Sequence, residues 1–143
     1  MKKYASILLG VLLLIPPAVN AQARRQAAAG RVDETTRVIN DCESRTNTFK
    51  RSVRRKARGD APNLQRDVDD LEKAMNEVGD SWNKDHNMQK TRAYVTAAIT
   101  VSQRINRFMT AYRGDADLVN QWVPVRTELN RLAQTFGLPA IRW

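Results

Sequence analysis

Side chains that carry chemistry are scarce in this sequence. One cysteine, Cys42, and one histidine, His86, stand in 143 residues. A lone cysteine excludes an intrachain disulfide in any compartment. A lone histidine excludes a histidine metal cluster, and a Cys–His nucleophile pair would have to use these two residues. His86 falls in a polar break, Asn83 to Asn87 (NKDHN), where a solvated loop residue is expected. A haem-binding bundle could pair His86 with Met75 or Met109, but there is no C-x-x-C-H, and both methionines lie on apolar lines that packing explains. The Glu-x-x-His pairs of carboxylate-bridged metal bundles are missing. Asp67, Asp69 and Asp70 lack the glycine and terminal glutamate of a calcium loop. Glycine-rich phosphate loops are absent as well. The expectation is a non-enzyme without metal or cofactor.

Long hydrophobic runs are also missing. The longest apolar stretch, Ile7 to Ile15 (ILLGVLLLI), stops at Pro16-Pro17, far short of the roughly 20 residues a membrane-spanning helix needs. Its setting is informative. Lys2 and Lys3 precede it, and small residues close Val19-Asn20-Ala21. That is the layout of a secretory signal peptide, with cleavage expected after Ala21 and Ala23 as second choice. Residues 1–21 are therefore expected to be removed. The mature domain, 22–143, is then periplasmic or secreted, with no transmembrane span. The cleavage region contains no cysteine, which disfavours a lipoprotein.

Acidic residues are outnumbered. Once Lys2 and Lys3 are removed, 22 basic residues face 15 acidic ones, a side-chain charge of +7. Such a balance favours anionic partners such as phospholipid headgroups or acidic polysaccharide. Export disfavours nucleic acid.

What the sequence does contain is helical periodicity. Val32, Thr35, Ile39, Cys42, Thr46, Phe49 and Val53 recur at three- and four-residue spacing. So do Leu64, Val68, Leu71, Met75, Val78 and Trp82, and again Leu118, Trp122, Val125, Leu129, Leu132 and Phe136. Each set falls on one stripe of an α-helix, and no period-two alternation is sustained. Between them run two overlapping lines: Tyr94, Ala98, Val101, Ile105, Phe108, Tyr112, and Val95, Ala98, Ser102, Ile105, Met109, Tyr112. So wide an apolar face suits a helix with two neighbours, the candidate for the most buried of the four.

Punctuation agrees. Gly59-Asp60-Ala61-Pro62 closes one helix and opens the next, Gly114 with Asp115 to Asp117 does the same, and Gly137-Leu138-Pro139 reads as a stop with a hydrophobic clasp. The pattern predicts helices over about 31–58, 62–83, 88–113 and 117–136, roughly 30 to 42 Å long. Short connections make consecutive helices antiparallel neighbours. The expected fold is all-α, an antiparallel up-down-up-down four-helix bundle behind the signal peptide. Pro124 predicts a kink or a late start in the last helix. Residues 22 to 30 either fray or extend the first helix backwards.

Charge is unevenly placed. Arg45 to Arg58 carries seven basic residues and no acid, whereas Asp60 to Asp85 holds eight acids against three bases. Side by side, the basic run would pair with Asp67, Asp69, Asp70 and Glu72, which suits the helix dipoles. Lys90, Arg92, Arg104, Arg107 and Arg113 then remain in the third segment, with Arg126 and Arg131 in the fourth against Glu128. Lys90, Arg92, Arg104, Arg107, Arg113 and Arg131 are the candidate anion-binding residues. The aromatic residues Phe49, Trp82, Phe108, Trp122 and Phe136, like Cys42, fall on core lines and are expected to be buried.

Trp122 to Leu138 reads W-x-x-x-R-x-E-L-N-x-L-A-x-x-F-x-L. It resembles the closing segment of a set of small exported helical bacterial proteins without an assigned function. The match rests on Trp122, Arg126, Glu128, Leu129, Asn130, Leu132, Ala133, Phe136 and Leu138, within 17 of 143 residues; Pro124 departs from it. The resemblance implies export and a helical fold, and carries no activity. Arg126 and Asn130 lie one turn apart and could cap or clamp a neighbour. The expected function is binding, either of a protein or of an anionic envelope component. The alternative is a carrier holding a small ligand or cofactor in the bundle interior. Homodimerisation would show as leftover apolar surface on the third helix.

Overall fold

A computed structural model describes residues 17–57, 61–112 and 114–142. Helices α1 (Pro17–Lys56), α2 (Pro62–Asp85), α3 (Met88–Ala111) and α4 (Ala116–Thr135) account for most of them, and no strand occurs among the described residues. The apolar run Ile7 to Ile15, Arg58, Gly59, Asp60 and Arg113 lie outside the described residues.

The chain divides into two compact units, residues 1–31 and 32–143. In the first, α1 is helical from Pro17, fourteen positions before the expected start at Arg31. Every residue from Ala21 to Arg31 is exposed. This stretch has no apolar line for a periodicity argument to detect. It is helical because Ala, Gln and Arg are good helix formers, and continuity with the rest of α1 removes the cost of nucleation.

The second unit is a helical bundle. In α2 and in α4 with its cap residue the expected stripes are buried, Leu64, Val68, Leu71, Met75, Val78 and Trp82, and Leu118, Trp122, Val125, Leu129, Leu132 and Phe136, with Ala74 and Ala133 buried beside them. In α1 the stripe from Thr35 to Val53 is buried, and Val32 is half-buried. Burying each large apolar side chain contributes about 1.5–3 kcal/mol. On α3 the structure separates the two lines. Val95, Ala98, Ser102, Ile105 and Met109 are buried, while Tyr94 is 43% exposed and Val101 and Phe108 only half-buried. Thr91, Ile99 and Asn106 complete the buried face.

The helix ends follow local chemistry. α2 starts with Pro62 in its first turn, where a missing N–H costs nothing; its cap residue Ala61 supplies no side-chain hydrogen bond. His86 ends it in the left-handed region at φ 51°. Asn87 then caps α3, accepting from the backbone N–H groups of Gln89 and Lys90 at 3.0 Å each. Asp115 caps α4 through Asp117 N–H at 2.8 Å and Leu118 N–H at 3.1 Å. With that cap in place, α4 has no late start and runs unbroken through Pro124. The carbonyl that Pro124 deprives of a donor belongs to Asn120, which is exposed and within reach of water. α4 closes as expected, with Gly137 at φ 64°, Leu138 N–H donating to Ala133 O at 2.8 Å and Gly137 N–H to Gln134 O at 3.1 Å.

Polar contacts between helices give the neighbours. Trp82 Nε1 donates to Thr36 Oγ1 at 2.8 Å, joining α2 to α1. Trp122 Nε1 donates to Asn106 Oδ1 at 2.9 Å, joining α4 to α3. Ser81 and Thr91 hydroxyls lie 3.1 Å apart between α2 and α3. The Phe49 and Trp122 rings, 5.4 Å apart, join α1 to α4. Both buried indoles thus find an acceptor, as buried indoles must if they are not to lose a hydrogen bond on leaving water.

Candidate functional site

The bundle consumes much of its own charge. Lys50 of α1 meets Asp69 at 3.0 Å and also Glu72, and Arg54 meets Asp69 at 3.0 Å. The Glu72 contact, against the opposing effect of burial, raises the Lys50 pKa. Burial would raise that of Asp69, but Lys50 and Arg54 outweigh it and hold the carboxyl low. Lys56 reaches across to Asp117 at 2.8 Å and Asp115 at 3.5 Å on α4. The acids expected beside the basic end of α1 are therefore shared. Asp69 and Glu72 do face it, but Asp67 and Asp70 face Arg104 of α3, at 3.1 and 3.0 Å.

Four of the six candidate anion-binding residues are engaged within the fold. Lys90 pairs with Asp85 at 2.6 Å, within one interhelix turn. Arg92 donates from Nε to Phe136 O at 3.0 Å and from Nη2 to Gly137 O at 3.3 Å, covering carbonyls at the end of α4. Arg104 holds Asp67 and Asp70. Arg131 pairs with Glu34 of α1 and lies 3.8 Å from Glu128. Arg107 is exposed on α3, and Arg113 lies outside the described residues.

A basic surface without internal acids occurs instead on the first unit. Arg24, Arg25 and Arg31 are all exposed, and no Asp or Glu precedes Asp33 anywhere in the chain. Periodicity could not single out this segment, but its composition could have: three arginines and no acid in ten residues from Gln22.

A second feature is a polar cradle between α3 and α4. Asn130 accepts from Ile141 N–H at 2.6 Å and donates to Ile141 O at 3.2 Å. Asn106 donates to Arg142 O at 2.7 Å while accepting from Trp122. Asn130, expected with Arg126 to cap or clamp a neighbouring helix, instead holds the main chain of Ile141 beyond α4.

Comparison with protein-family models, curated proteins and solved structures finds no match.

The remaining candidates for chemistry are placed as follows. His86 is exposed. Cys42 is fully buried, and burial pushes its thiol pKa far up. Met75 and Met109 are buried, and no group of three His, Cys, Asp or Glu among the described residues is placed to hold a metal ion. At the levels of Trp122, Phe49, Ile105 and Leu129 the interior is occupied by side chains less than 2% exposed. An open cavity of about 600 Å3 where α2 meets α3 is lined by Glu77, Asp80, Asp85, Lys84, Lys90 and Tyr94, charges of both signs. None of the described helices is long and apolar enough to cross a membrane.

Proposed function

We propose that this protein is exported and acts without catalysis, by binding an anionic component of the cell envelope through the basic helical arm at the start of α1. One observation carries the reading: Arg24, Arg25 and Arg31 are exposed in a stretch without acids, whereas in the bundle Arg37, Arg45, Lys50, Arg54, Lys56, Lys90, Arg104 and Arg131 already face acids of their own. Export rests on Lys2, Lys3, the apolar run to Ile15 and the small residues Val19 and Ala21. The resemblance of Trp122–Leu138 to exported helical proteins supports it. In this reading the four helices run up-down-up-down. The end of α1 meets the start of α2 through Lys50 and Glu72, and Thr36 meets the end of α2 through Trp82, the pattern of antiparallel neighbours. The filled interior disfavours a ligand carrier.

The test is co-sedimentation of the chain from Gln22 onward with vesicles containing phosphatidylglycerol or only phosphatidylcholine. Each arginine near an anionic surface contributes about 1 kcal/mol, so replacing Arg24, Arg25 and Arg31 with alanine should weaken binding about 100-fold. Arg107→Ala should change it little, and raising the salt concentration should abolish it. Binding that survives the triple substitution, or that ignores salt, would refute the proposal.

A further inference from the structure

We propose that the cleft between α3 and α4 is a binding site for an extended peptide segment of a partner protein, and that residues 139–142 occupy it in cis. Three observations point to a ligand site rather than to simple packing of a chain end.

The cleft reads main chain. A primary amide that accepts from the N–H and donates to the C=O of one residue, as Asn130 does with Ile141, pairs with a peptide as a neighbouring strand would. Asn106 adds a bond to the next carbonyl, Arg142 O. The hydrogen bonds of both asparagines to the described residues of the segment go to its main chain. Among the described residues of the segment the cleft buries the side chain of Ile141, 4% exposed within the core cluster, while Pro139, Ala140 and Arg142 are exposed. The fitting partner is therefore a short segment with one aliphatic residue flanked by unrestricted positions.

The cis occupant can leave without unfolding its helix. α4 is already terminated upstream by Leu138 N–H on Ala133 O, Gly137 N–H on Gln134 O, and Arg92 on the Phe136 and Gly137 carbonyls. Among the described residues, release costs the Ile141 contacts and three side chain–main chain bonds, the scale of a local opening.

Open space adjoins the held segment: a cavity of about 510 Å3 lies between Thr127, Asn130, Arg131 and Gln134 of α4 and Gly137, Leu138 and Ala140. A longer segment in trans would have room to extend there.

The experiment uses the full chain carrying Ile141→Asp, which expels the cis segment and leaves the cleft intact. The probe is a fluorescein-labelled peptide of residues 138–143, Leu-Pro-Ala-Ile-Arg-Trp, followed by anisotropy. The substituted protein should bind it at least about tenfold more tightly than the unsubstituted one, because cis competition is removed. Adding Asn130→Ala, or replacing the peptide's isoleucine with aspartate, should weaken binding again by about tenfold. Should Ile141→Asp disturb the helical circular dichroism, the unsubstituted protein is titrated with millimolar peptide, and the Asn130 and Asn106 side-chain amide resonances should shift. Equal affinities with and without Ile141→Asp, or unmoved amide resonances, would overturn the proposal. A mass doubling of the unsubstituted chain in light scattering that the peptide reverses would assign the cleft to a second copy and also overturn it.

Discussion

Replacing Gly79 with alanine should stabilise the bundle, although the site is buried and crowded. Gly79 lies in the interior of α2, where exchanging glycine for alanine favours the helix by about 1 kcal/mol. Against this, a Cβ at position 79 would collide with Glu43 Oε1 of α1. The obstacle is the far end of a flexible side chain, which can swing outward. That carboxylate is also poorly placed: burial first, and the Asp80 charge second, raise its pKa. Glu43 makes no ion pair among the described residues. Moving it toward water returns hydration and relieves repulsion, at the loss of a few tenths of a kcal/mol of stem packing. The net expectation is a gain of about 0.5 kcal/mol, roughly 2 °C in Tm for a domain of this size. Urea and thermal unfolding followed by circular dichroism measure it. In a Glu43→Ala background the gain should rise to the full helix-propensity value. A loss above about 1 kcal/mol would refute the reasoning, since it would show that Glu43 cannot move aside.

Two further outcomes follow from half-buried Glu43 and buried Cys42. Because the folded chain raises the Glu43 pKa, ionisation of that carboxyl opposes folding. Its contribution is most favourable below the ordinary value of 4.5 and falls as pH rises through the folded pKa. Glu43→Gln should therefore stabilise by a few tenths of a kcal/mol near neutrality after solvent screening, with the gap closing in acid; an identical gap at both pH values in urea titrations would contradict this. Cys42, fully buried and with its thiol pKa pushed up by burial, should react slowly with a maleimide in the native protein and rapidly in denaturant. Fast native labelling would show that α1 opens far more readily than its packing implies.

Much of the bundle was legible in the sequence because its information is local. A residue on a three-and-four spacing must share a helix face with its neighbours, so Leu64 through Trp82 could hardly avoid forming one buried stripe. Caps are local too: Asn87 and Asp115 each satisfy backbone donors two and three residues away. The expected start of α1 was late for a related reason. Periodicity reports burial, and residues 21–31 form an exposed helix, held by propensity and continuity. On α3 two lines were equally periodic, and packing chose the Val95–Met109 line. Tyr94, its hydroxyl within reach of water, is left on the surface.

The candidate sites were less legible because they depend on which helices become neighbours. Sequence order assigned Asp67 and Asp70 to the basic end of α1, but packing α3 against α2 hands both to Arg104. The same placement spends Arg131 on Glu34, 97 residues away, and leaves the basic arm as the acid-free surface. Nothing in the spacing of Asn106, Asn130 and Ile141 announces a cradle, because no periodicity links an isolated apolar residue beyond a helix stop to amides on two earlier helices. The sequence by itself determined the helices, their apolar faces, their caps and the scarcity of catalytic groups. Each follows from chemistry within a few residues of chain. Only tertiary structure decided which charges are spent on one another and where a main chain is gripped, since those depend on distances between segments that the chain must fold to bring together.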